Sequence, residues 1–368
     1  MKRLIVFSCV VMLVCLGVGV SFAQTAIITA PDSIKASGNY IITVDTLDCT
    51  AEVGGIVADL APDNVVIDGD GKLILGKSGP PYYEYGIKIY YAPEGGGFAT
   101  GESVYNCRIK NMGHGLMIKG LKNSDFYDLE MDSCNRGIGA YKGSDYYEAV
   151  NFLDNKITNT AEFGMKLYKM TGCQISGNTI SNAGQEGIRC YEYVDSCELK
   201  NNVITNCAKE GMEFRKSSYT SIDSNVCIGN DIGIYIDNDI SRFNTLTADS
   251  IIGGNIGLKF RDADSNMVVN MVINGADSMD IGVQSDGEAV GNVIKDSKII
   301  NVATTDINVK AKSELTLINT DFDPLKVLVE YEGVLNVGHR VTVKTKLDAV
   351  LIAGTTVEIE NAAGEEVY

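Results

Sequence analysis

Tyrosine, lysine and arginine side chains recur at intervals of about 23 residues through the middle of this 368-residue sequence. The candidates for ligand binding are Tyr141, Lys166, Tyr168, Arg189, Tyr191, Arg215 and Arg261. Tyrosine rings offer flat surfaces on which sugar rings stack, and arginine pairs bidentately with carboxylate or sulfate groups. If one face collects these side chains, we expect it to bind an extended, anionic polysaccharide. The alternative is that the tyrosines are ordinary cross-strand stacks and the lysines keep an exposed sheet from aggregating.

Three aspartates, Asp239, Asp262 and Asp264, form a second candidate site. Calcium prefers oxygen ligands, and carboxylates are prominent among them. If the aspartates lie on neighbouring turns of the chain, they are candidates to share a calcium ion. Aspartate is also frequent in solvated turns, and this alternative explains the cluster without any ligand.

The composition limits the partners of the protein. Lys and Arg number 31 against 48 Asp and Glu, which gives a formal net charge of −17 at pH 7. Such an acidic protein is a poor candidate for nucleic-acid binding, because contact with the phosphate backbone requires basic surface. The sequence has two histidines and no CxxC pair, so it lacks the residues of a usual zinc site.

An internal repeat positions these side chains. A glycine followed by an aliphatic residue recurs at intervals of 22 to 29 residues. The repeat glycines are Gly86, Gly115, Gly137, Gly164, Gly187, Gly211, Gly233, Gly257 and Gly282. An Asn-rich segment lies between successive glycines, as at 178–182 and 202–206. The segments are short, alternate apolar with polar residues and end in Asn, Gly, Asp or Ser, which predicts strands and turns without a helix.

Strand alternation predicts which repeat residues face outward. Residues two and four positions after each repeat glycine are expected on one flat outer face, which then carries seven Lys or Arg and five Tyr among eighteen positions. Cys190 and Cys227 occupy apolar positions of the repeat and are predicted to be buried. Cys173 and Cys197 are expected on adjacent turns, either as a disulfide or, the favoured alternative, as stacked free thiols.

The pattern G-[ILM]-x-[LFCI] followed by N-x-[IV]-x-x-N extends from Gly86 to about Asn319. It resembles the right-handed parallel β-helix superfamily, the pectate-lyase-like group. The resemblance implies an all-β, single-stacked solenoid of about ten rungs. Because stacked rungs place like residues on like residues, asparagine ladders are expected along the corners.

The resemblance leaves the activity open. The favoured hypothesis is a secreted or cell-surface protein that binds polysaccharide along the Tyr/Lys/Arg face. One alternative is a calcium-dependent lyase or epimerase of uronate polymers, for which the family implies an Arg or Lys base such as Arg189, Arg215 or Arg261. A purely structural spacer is a second alternative. A metallochaperone-like β-helix is a third alternative, disfavoured because few His and Met lie in register. The polygalacturonase group of hydrolases is excluded, because the triplets that resemble its motifs, such as residues 113–115, occur in the wrong order along the chain.

The sequence divides into four predicted regions. Residues 1–23 have the basic start, apolar run and small-residue cleavage site of a secretory signal peptide. Residues 24–76 are predicted to form an N-terminal cap and first rung, 77–324 the repeats, and 325–368 the last strands and a truncated β-sandwich-like module. We expect a monomer, secreted, surface-bound or periplasmic, with no membrane insertion after signal cleavage. The final region ends directly after a strand-forming segment, so we expect the sequence to be incomplete.

Overall fold

The computed structural model describes residues 25–339, apart from 51–53, 60–62, 78–84, 92–96, 142–145 and 277. The predicted signal peptide at 1–23 lies outside the described residues. Residues 340–368 of the predicted C-terminal region also lie outside the described residues. Among the described residues, none forms a helix with the length and hydropathy needed to span a membrane.

The described chain is almost entirely short strands with a single 3₁₀ turn. In chain order the strands are β1 Ala26–Ile28, β2 Asp32–Ser33, β3 Gly38–Ile42, β4 Thr46–Asp48, β5 Gly54–Asp59, β6 Val65–Asp68, β7 Leu73–Leu75, β8 Tyr85–Tyr90, β9 Ala99–Thr100, β10 Ser103–Lys110, β11 His114–Lys119, β12 Leu121–Asp132, β13 Arg136–Ala140, β14 Tyr147–Leu153, β15 Lys156–Thr158, β16 Met165–Tyr168, β17 Met170–Thr171, β18 Gln174–Ser176, β19 Thr179–Ser181, β20 Ile188–Tyr191, β21 Glu198–Lys200, β22 Val203–Thr205, β23 Glu210–Arg215, β24 Ser221–Asp223, β25 Val226–Ile228, β26 Ile232–Asp237, β27 Thr245–Thr247, β28 Ser250–Ile252, β29 Ile256–Arg261, β30 Met267–Val269, β31 Val272–Asn274, β32 Ile281–Asp286, β33 Asn292–Lys295, β34 Lys298–Ile300, β35 Thr305–Val309, β36 Glu314–Ile318, β37 Val327–Val329 and β38 Val334–Gly338. The 3₁₀ turn is Pro324–Lys326.

The strands form two long sheets in which described neighbours pair in parallel. Sheet I has thirteen strands, from β2 through β8, β20 and β26 to β37, and sheet II has twenty-five. A typical turn contributes one strand to sheet I and two to sheet II, as β20, β21 and β22 do. The predicted parallel β-solenoid is therefore confirmed. It is longer than the run of repeat glycines because β1–β7 of the segment 24–76 pair in the same two sheets.

The repeat stacks in the register that the sequence predicts. Ile188 pairs with Met165 on one side and Met212 on the other, and Cys190 pairs with Leu167 and Phe214. All six side chains are fully buried. Cys227 pairs with Ile204 in sheet II and is also buried. Residues one and three after the repeat glycine therefore face the core on these three turns.

The repeat glycine is required because two sheets approach closely at that point. A Cβ on Gly187 would lie 2.4 Å from Ile204 Cγ2 and 2.7 Å from the carbonyl oxygen of Gly211 on the next turn. Both distances are shorter than van der Waals contact, and one neighbour is backbone. The glycine and the residue after it therefore both face the core, which interrupts the strict alternation of the strand at this position.

An internal asparagine ladder joins consecutive turns on the sheet II side. Asn178 Nδ2 and the Asn178 backbone N–H both donate to Asn202 Oδ1, at 2.9 and 3.0 Å, and Asn202 makes the same bonds to Asn225. Each Nδ2 also donates to a backbone carbonyl, as Asn202 does to Ile175 at 2.8 Å. The expected asparagine stacking is confirmed, and the ladder satisfies polar groups that water does not reach.

The ladder ends in an aspartate. Asp249 Oδ1 accepts the backbone N–H and Nδ2 of Asn225 at 2.8 and 2.9 Å. Its other oxygen, Oδ2, is buried without a hydrogen-bond partner. In Asn225 the corresponding amide nitrogen donates to the carbonyl of Leu199, which an ionised carboxylate cannot do. Burial raises the pKa of Asp249 from 3.8 to about 7.

Replacing this aspartate, as Asp249→Asn, is expected to stabilise the fold at pH 8 by about 1–3 kcal/mol, because the amide supplies the missing donor. The folded protein holds the Asp249 proton to about pH 7 and the unfolded chain releases it near pH 4, so wild-type stability falls as pH rises through this window. The gain should therefore shrink towards pH 4. Denaturant unfolding at pH 5 and pH 8 measures it.

The matched control is Asp223→Asn, which removes a carboxylate that Lys200 pairs with at 3.1 Å. Because that ion pair lowers the pKa of Asp223, the control should lose a little stability. A loss of stability in Asp249→Asn at pH 8 would contradict the proposed role of the unpartnered oxygen.

All eight cysteines of the described chain are buried, and no disulfide joins any of them within the described residues. A parallel bridge between Thr171 and Asp195 places Cys173 and Cys197 on adjacent turns. Cys173 Sγ accepts the Val150 N–H at 3.3 Å, and hydrogen bonding from the Cys197 thiol lowers the pKa of Cys173. The pair is present as two thiols, the favoured of the two alternatives.

Candidate functional site

The outer face of sheet I carries the predicted binding residues, but it is less open than a flat sheet. Lys166, Arg189 and Tyr191 are partly exposed, and Tyr141 is 43% exposed. Tyr168 is only 8% exposed because neighbouring outer side chains pack over it. Tyr141, Lys166, Arg189 and Tyr191 therefore reach solvent to different extents, whereas Tyr168 is almost covered.

The tyrosines form two pairs along the face. Tyr168 and Tyr191 on β16 and β20 meet edge to face, with ring centroids 5.4 Å apart and an interplanar angle of 82°. Tyr141 packs instead with Tyr90, at 5.9 Å and 71°. Lys119 lies between them, with its Nζ 4.6 Å from the Tyr90 centroid and 5.0 Å from that of Tyr141. Tyr90, Lys119 and Tyr141 therefore give an order of ring, cation and ring across the three successive turns that contain β8, β11 and β13.

The predicted arginines are held by carboxylates that the pattern analysis did not single out. Arg189 Nε lies 2.6 Å from Glu213 Oε2. Arg215 and Arg261 both pair with Asp237, at 3.3 and 2.8 Å, and Asp237 is only 3% exposed. This half of the face is thus a network of internal ion pairs, with part of each guanidinium already engaged.

Burial, rather than pairing, dominates the electrostatics of one carboxylate in this network. Burial raises the pKa of Glu213 to about 7, and the nearby Arg189 only partly offsets it. Burial likewise raises the pKa of Glu210 on the same strand. Glu186 contacts both Arg189 and Lys209 at 3.6 Å. The sequence did carry one signal for these carboxylates, because Glu186 and Glu210 each stand directly before the repeat glycine on two consecutive turns.

A pocket of about 430 Å³ opens at the other half of the face, around Gly139 on β13. We call it the Gly139 pocket; its lining comprises Tyr85, His114, Met117, Arg136, Gly139, Ala140, Tyr141, Glu162, Lys166 and Tyr168. It brings three of the predicted residues together, namely Tyr141, Lys166 and Tyr168. Arg189, Tyr191, Arg215 and Arg261 do not line it.

Arg136 is fixed in this pocket by two contacts. Its Nε donates to Glu162 Oε2 at 2.7 Å, and its Nη1 lies 3.3 Å from His114 Nε2. Burial and the adjacent Arg136 lower the pKa of His114 to about 4, so the imidazole is neutral at pH 7. The ring also stacks on Tyr85, with centroids 5.2 Å apart.

Lys166 is the second cation of the pocket. Its Nζ lies 4.4 Å from the Phe163 ring centroid and 5.3 Å from that of Tyr168. No carboxylate of the described residues comes within 4.0 Å of it. Burial, followed by repulsion from Arg189 and Arg136, lowers the pKa of Lys166, which indicates a site short of negative charge.

The predicted calcium ligands do lie together, lining a cavity of about 400 Å³ with Asn238 and Glu288. However, Asp262 Oδ1 accepts the Glu288 N–H and Asp264 Oδ1 accepts the Val290 N–H. Over the residues that the structure describes, no group of three or more His, Cys, Asp or Glu side chains is placed to hold a metal ion. Asp262 and Asp264 have the turn-stabilising contacts expected of a solvated corner, and calcium gains no support from the three aspartates.

Comparison with known proteins gives a family and a fold. Residues 96–284 match the protein family described as "Periplasmic copper-binding protein (NosD)". A search of curated proteins found no match.

Several solved structures share the fold at low sequence identity, and three illustrate it. The A-module of mannuronan C-5 epimerase AlgE6 of Azotobacter vinelandii has a TM-score of 0.60 and 12% identity, over 88% of this chain and 92% of that one. The periplasmic alginate epimerase AlgG has a TM-score of 0.52 and 12% identity, over 86% and 78%. A double mutant of the tailspike protein of E. coli bacteriophage HK620 has a TM-score of 0.58 and 11% identity, over 84% and 72%. These likenesses show a shared fold.

For copper, which the family description names, the described residues provide no group of three or more His, Cys, Asp or Glu side chains placed to hold a metal ion. Copper favours thiolate, thioether and imidazole ligands. His114 is buried against Arg136, and burial raises the pKa of the Cys107 and Cys134 thiols to about 12. Protonated thiols inside an apolar core are not available as ligands, so we derive no copper chemistry from this chain.

Proposed function

The chain belongs to the NosD family, and on that premise we propose that it is a periplasmic or otherwise exported β-helix that binds an anionic polysaccharide along the outer face of sheet I. The observation that carries the proposal is the basic-aromatic strip, defined as Tyr90, Lys119, Tyr141, Lys166, Tyr168, Arg189 and Tyr191. The strip runs along consecutive turns of a protein whose net charge is −17. Local positive charge on an acidic protein would concentrate an anionic polymer at this face.

The strip is better suited to an anion at its N-terminal half. Lys119 contacts Tyr90 and Tyr141, and Lys166 has no carboxylate within 4.0 Å among the described residues. Towards the C-terminus Arg215 and Arg261 are paired with Asp237, so we assign them a supporting role at the end of the bound chain. The names of two fold relatives, a mannuronan epimerase and an alginate epimerase, add support for a polysaccharide partner.

Removing one tyrosine pair, as Tyr168→Ala with Tyr191→Ala, is expected to weaken polysaccharide retention by at least about tenfold, because the partly exposed Tyr191 ring is lost as a stacking surface together with the nearly buried Tyr168 ring that packs against it. The matched control is Tyr105→Ala with Tyr127→Ala. That pair also stacks between adjacent turns, at 4.8 Å and 5°, but on sheet II. A glycan array with the purified protein measures retention, and circular dichroism checks the fold. Equal retention by both double variants would contradict a binding role for this face.

A second candidate function, cleavage or epimerisation of uronate polymers, is favoured by one observation. Lys166 has a lowered pKa beside Arg136 and Arg189, which suits a base working next to a bound carboxylate. Ultraviolet absorbance at the unsaturated-uronate band, followed on any polymer that binds, would detect a lyase, and its loss with EDTA would establish calcium dependence. Binding without new absorbance supports the binding protein, and absence of both supports a structural spacer.

A further inference from the structure

We infer that the Gly139 pocket binds a single carboxylate-bearing sugar residue, a uronate, and so fixes the register of the polysaccharide on the basic-aromatic strip. This inference rests on the proposed function and makes it more specific. It names the class of sugar, and it places the recognition of charge at Arg136 and Lys166, one of which the sequence pattern did not predict.

One outward position in the lining of the pocket lacks a side chain. Position 139 is the only glycine among the residues that lie two after a repeat glycine between 86 and 282. A Cβ built there would be 3.1 Å from Met117 Sδ and 3.3 Å from His114 Cδ2. The glycine thus lets the Met117 and His114 side chains approach β13, and all three residues line a space about 430 Å³ in volume on a face where the equivalent Lys166 and Arg189 project side chains. That volume lies within the range of small-ligand sites.

The charge of the pocket matches one carboxylate. Its charged side chains are Arg136 and Lys166, each +1, and Glu162, −1, which leaves a net charge of +1. The neutral His114 adds none. A site with one uncompensated, partly desolvated positive charge attracts a monoanion more strongly than an exposed lysine does, because water screens it less.

Arg136 is preorganised for this role. Burial tends to raise the pKa of Glu162, but hydrogen bonds from Arg136 and Asn135 outweigh it and hold that pKa below its ordinary value. Glu162 therefore stays ionised and holds the guanidinium by its Nε at 2.7 Å. Because Arg136 Nη1 can only donate, His114 Nε2 must accept, and the ring supports the guanidinium from a second side. A cation held in place loses little entropy when it binds an anion.

The walls suit a sugar ring rather than a free inorganic anion. Tyr141 in the lining is 43% exposed, and Tyr168, which is 8% exposed, lies next to Lys166. The exposed Tyr141 ring provides stacking surface for the apolar face of a pyranose while Arg136 and Lys166 take its carboxylate. Phosphate or sulfate alone would leave this ring unused.

The test compares oligogalacturonate and oligomannuronate with the same oligosaccharides after reduction of their carboxyl groups, by calorimetric titration. Wild-type protein should bind a uronate form at least about tenfold more tightly than its reduced form, the difference expected for one charge-assisted contact. Gly139→Leu fills the pocket and should lower uronate affinity by about tenfold or more, while Gly139→Ala should have a smaller effect. The leucine leaves every charge in place, so it separates the cavity from general electrostatics.

Two controls complete the design. Lys156→Gln removes an exposed cation from sheet II and should leave uronate affinity unchanged. Thermal melting of each variant verifies folding, and if Gly139→Leu melts early, Arg136→Gln together with the reduced sugars tests the same pocket. If wild-type protein retains polysaccharide but binds uronate and reduced forms equally, the inference is wrong, and polysaccharide binding stands without the preference for an anionic polymer. If the protein binds neither polysaccharide nor oligouronate, both the proposed function and the uronate inference are wrong. If it binds dextran sulfate but no oligouronate, the uronate assignment is wrong.

Discussion

Replacing Ile188 with aspartate is expected to unfold the central turns of the solenoid, at a cost of at least about 3 kcal/mol. Ile188 is fully buried and is paired in register with Met165 and Met212. The variant loses an apolar contact on both neighbouring turns and places a carboxylate where no described partner is available to neutralise it. A large destabilisation follows, because an unpaired buried charge is among the most unfavourable single changes.

The effect should be local at first. In a solenoid each turn contacts mainly its neighbours, so stability is close to a sum over turns and the interfaces between them. Hydrogen exchange should therefore show lost protection in β16, β20 and β23 before the ends of the described chain are affected. Thermal melting alone would report a lower or broader transition without locating it.

The control for this experiment is Thr179→Asp on β19 of sheet II, at an exposed position. The same charge added outside the core should change stability by less than about 0.5 kcal/mol. Wild-type melting and exchange in Ile188→Asp would contradict the inward placement of the residue that follows the repeat glycine.

Truncating Asn202 to alanine is the second change expected to have a large effect, about 3–5 kcal/mol. The Asn202 side chain accepts two hydrogen bonds from Asn178 and donates to Ile175 and Asn225. Alanine leaves the Asn178 N–H and the Ile175 carbonyl buried without these partners. Leaving buried groups unsatisfied is more costly than the net value of the bonds themselves.

The appropriate control is an asparagine of the outer ladder. Asn182 is exposed, donates to Asn159 Oδ1 at 3.0 Å and has a left-handed backbone with φ of 57°. Asn182→Gly removes that exposed hydrogen bond and keeps the left-handed backbone conformation accessible. It should therefore lower the free energy of unfolding by less than about 1 kcal/mol. Denaturant unfolding compares the two variants. Similar losses in both would mean that the buried ladder does not stabilise the stack more than a surface contact does.

The solenoid explains how a chain with few reactive motifs can carry a binding site. Stacking repeats every few ångströms turns one outward position into a continuous row, and the basic-aromatic strip is two such rows. The Gly139 pocket is a local gap in one of them. A repeat protein can thus change its ligand through single outward residues while the core sequence stays constant.

Much of this fold was predictable from the sequence because its determinants are local. The period of the repeat glycines, the alternation after each glycine and the asparagine segments predicted parallel stacking, the buried Met165 and Ile188 rows and the ladder through Asn202. Each depends only on side-chain direction in a strand and on like residues falling on like residues. Tyr141, Lys166 and Tyr168 were predicted to share a face for the same reason, and they line one pocket.

The residues that complete the candidate site were not predictable in this way. His114 and Arg136 come directly before repeat glycines, and strict alternation would have turned them towards the core. The close approach of the two sheets forces each repeat glycine and its successor inward together, which returns the preceding residue to the outer face.

The ion pairs of Arg189 with Glu213 and of Arg261 with Asp237 also depend on side chains from different turns, 24 residues apart in each case. The sequence alone therefore determined the solenoid, its core and the direction of its outer rows. Only the tertiary structure decided which outer cations are paired and which face an open pocket, because pairing and space depend on packing between neighbouring turns and not on the period of the repeat.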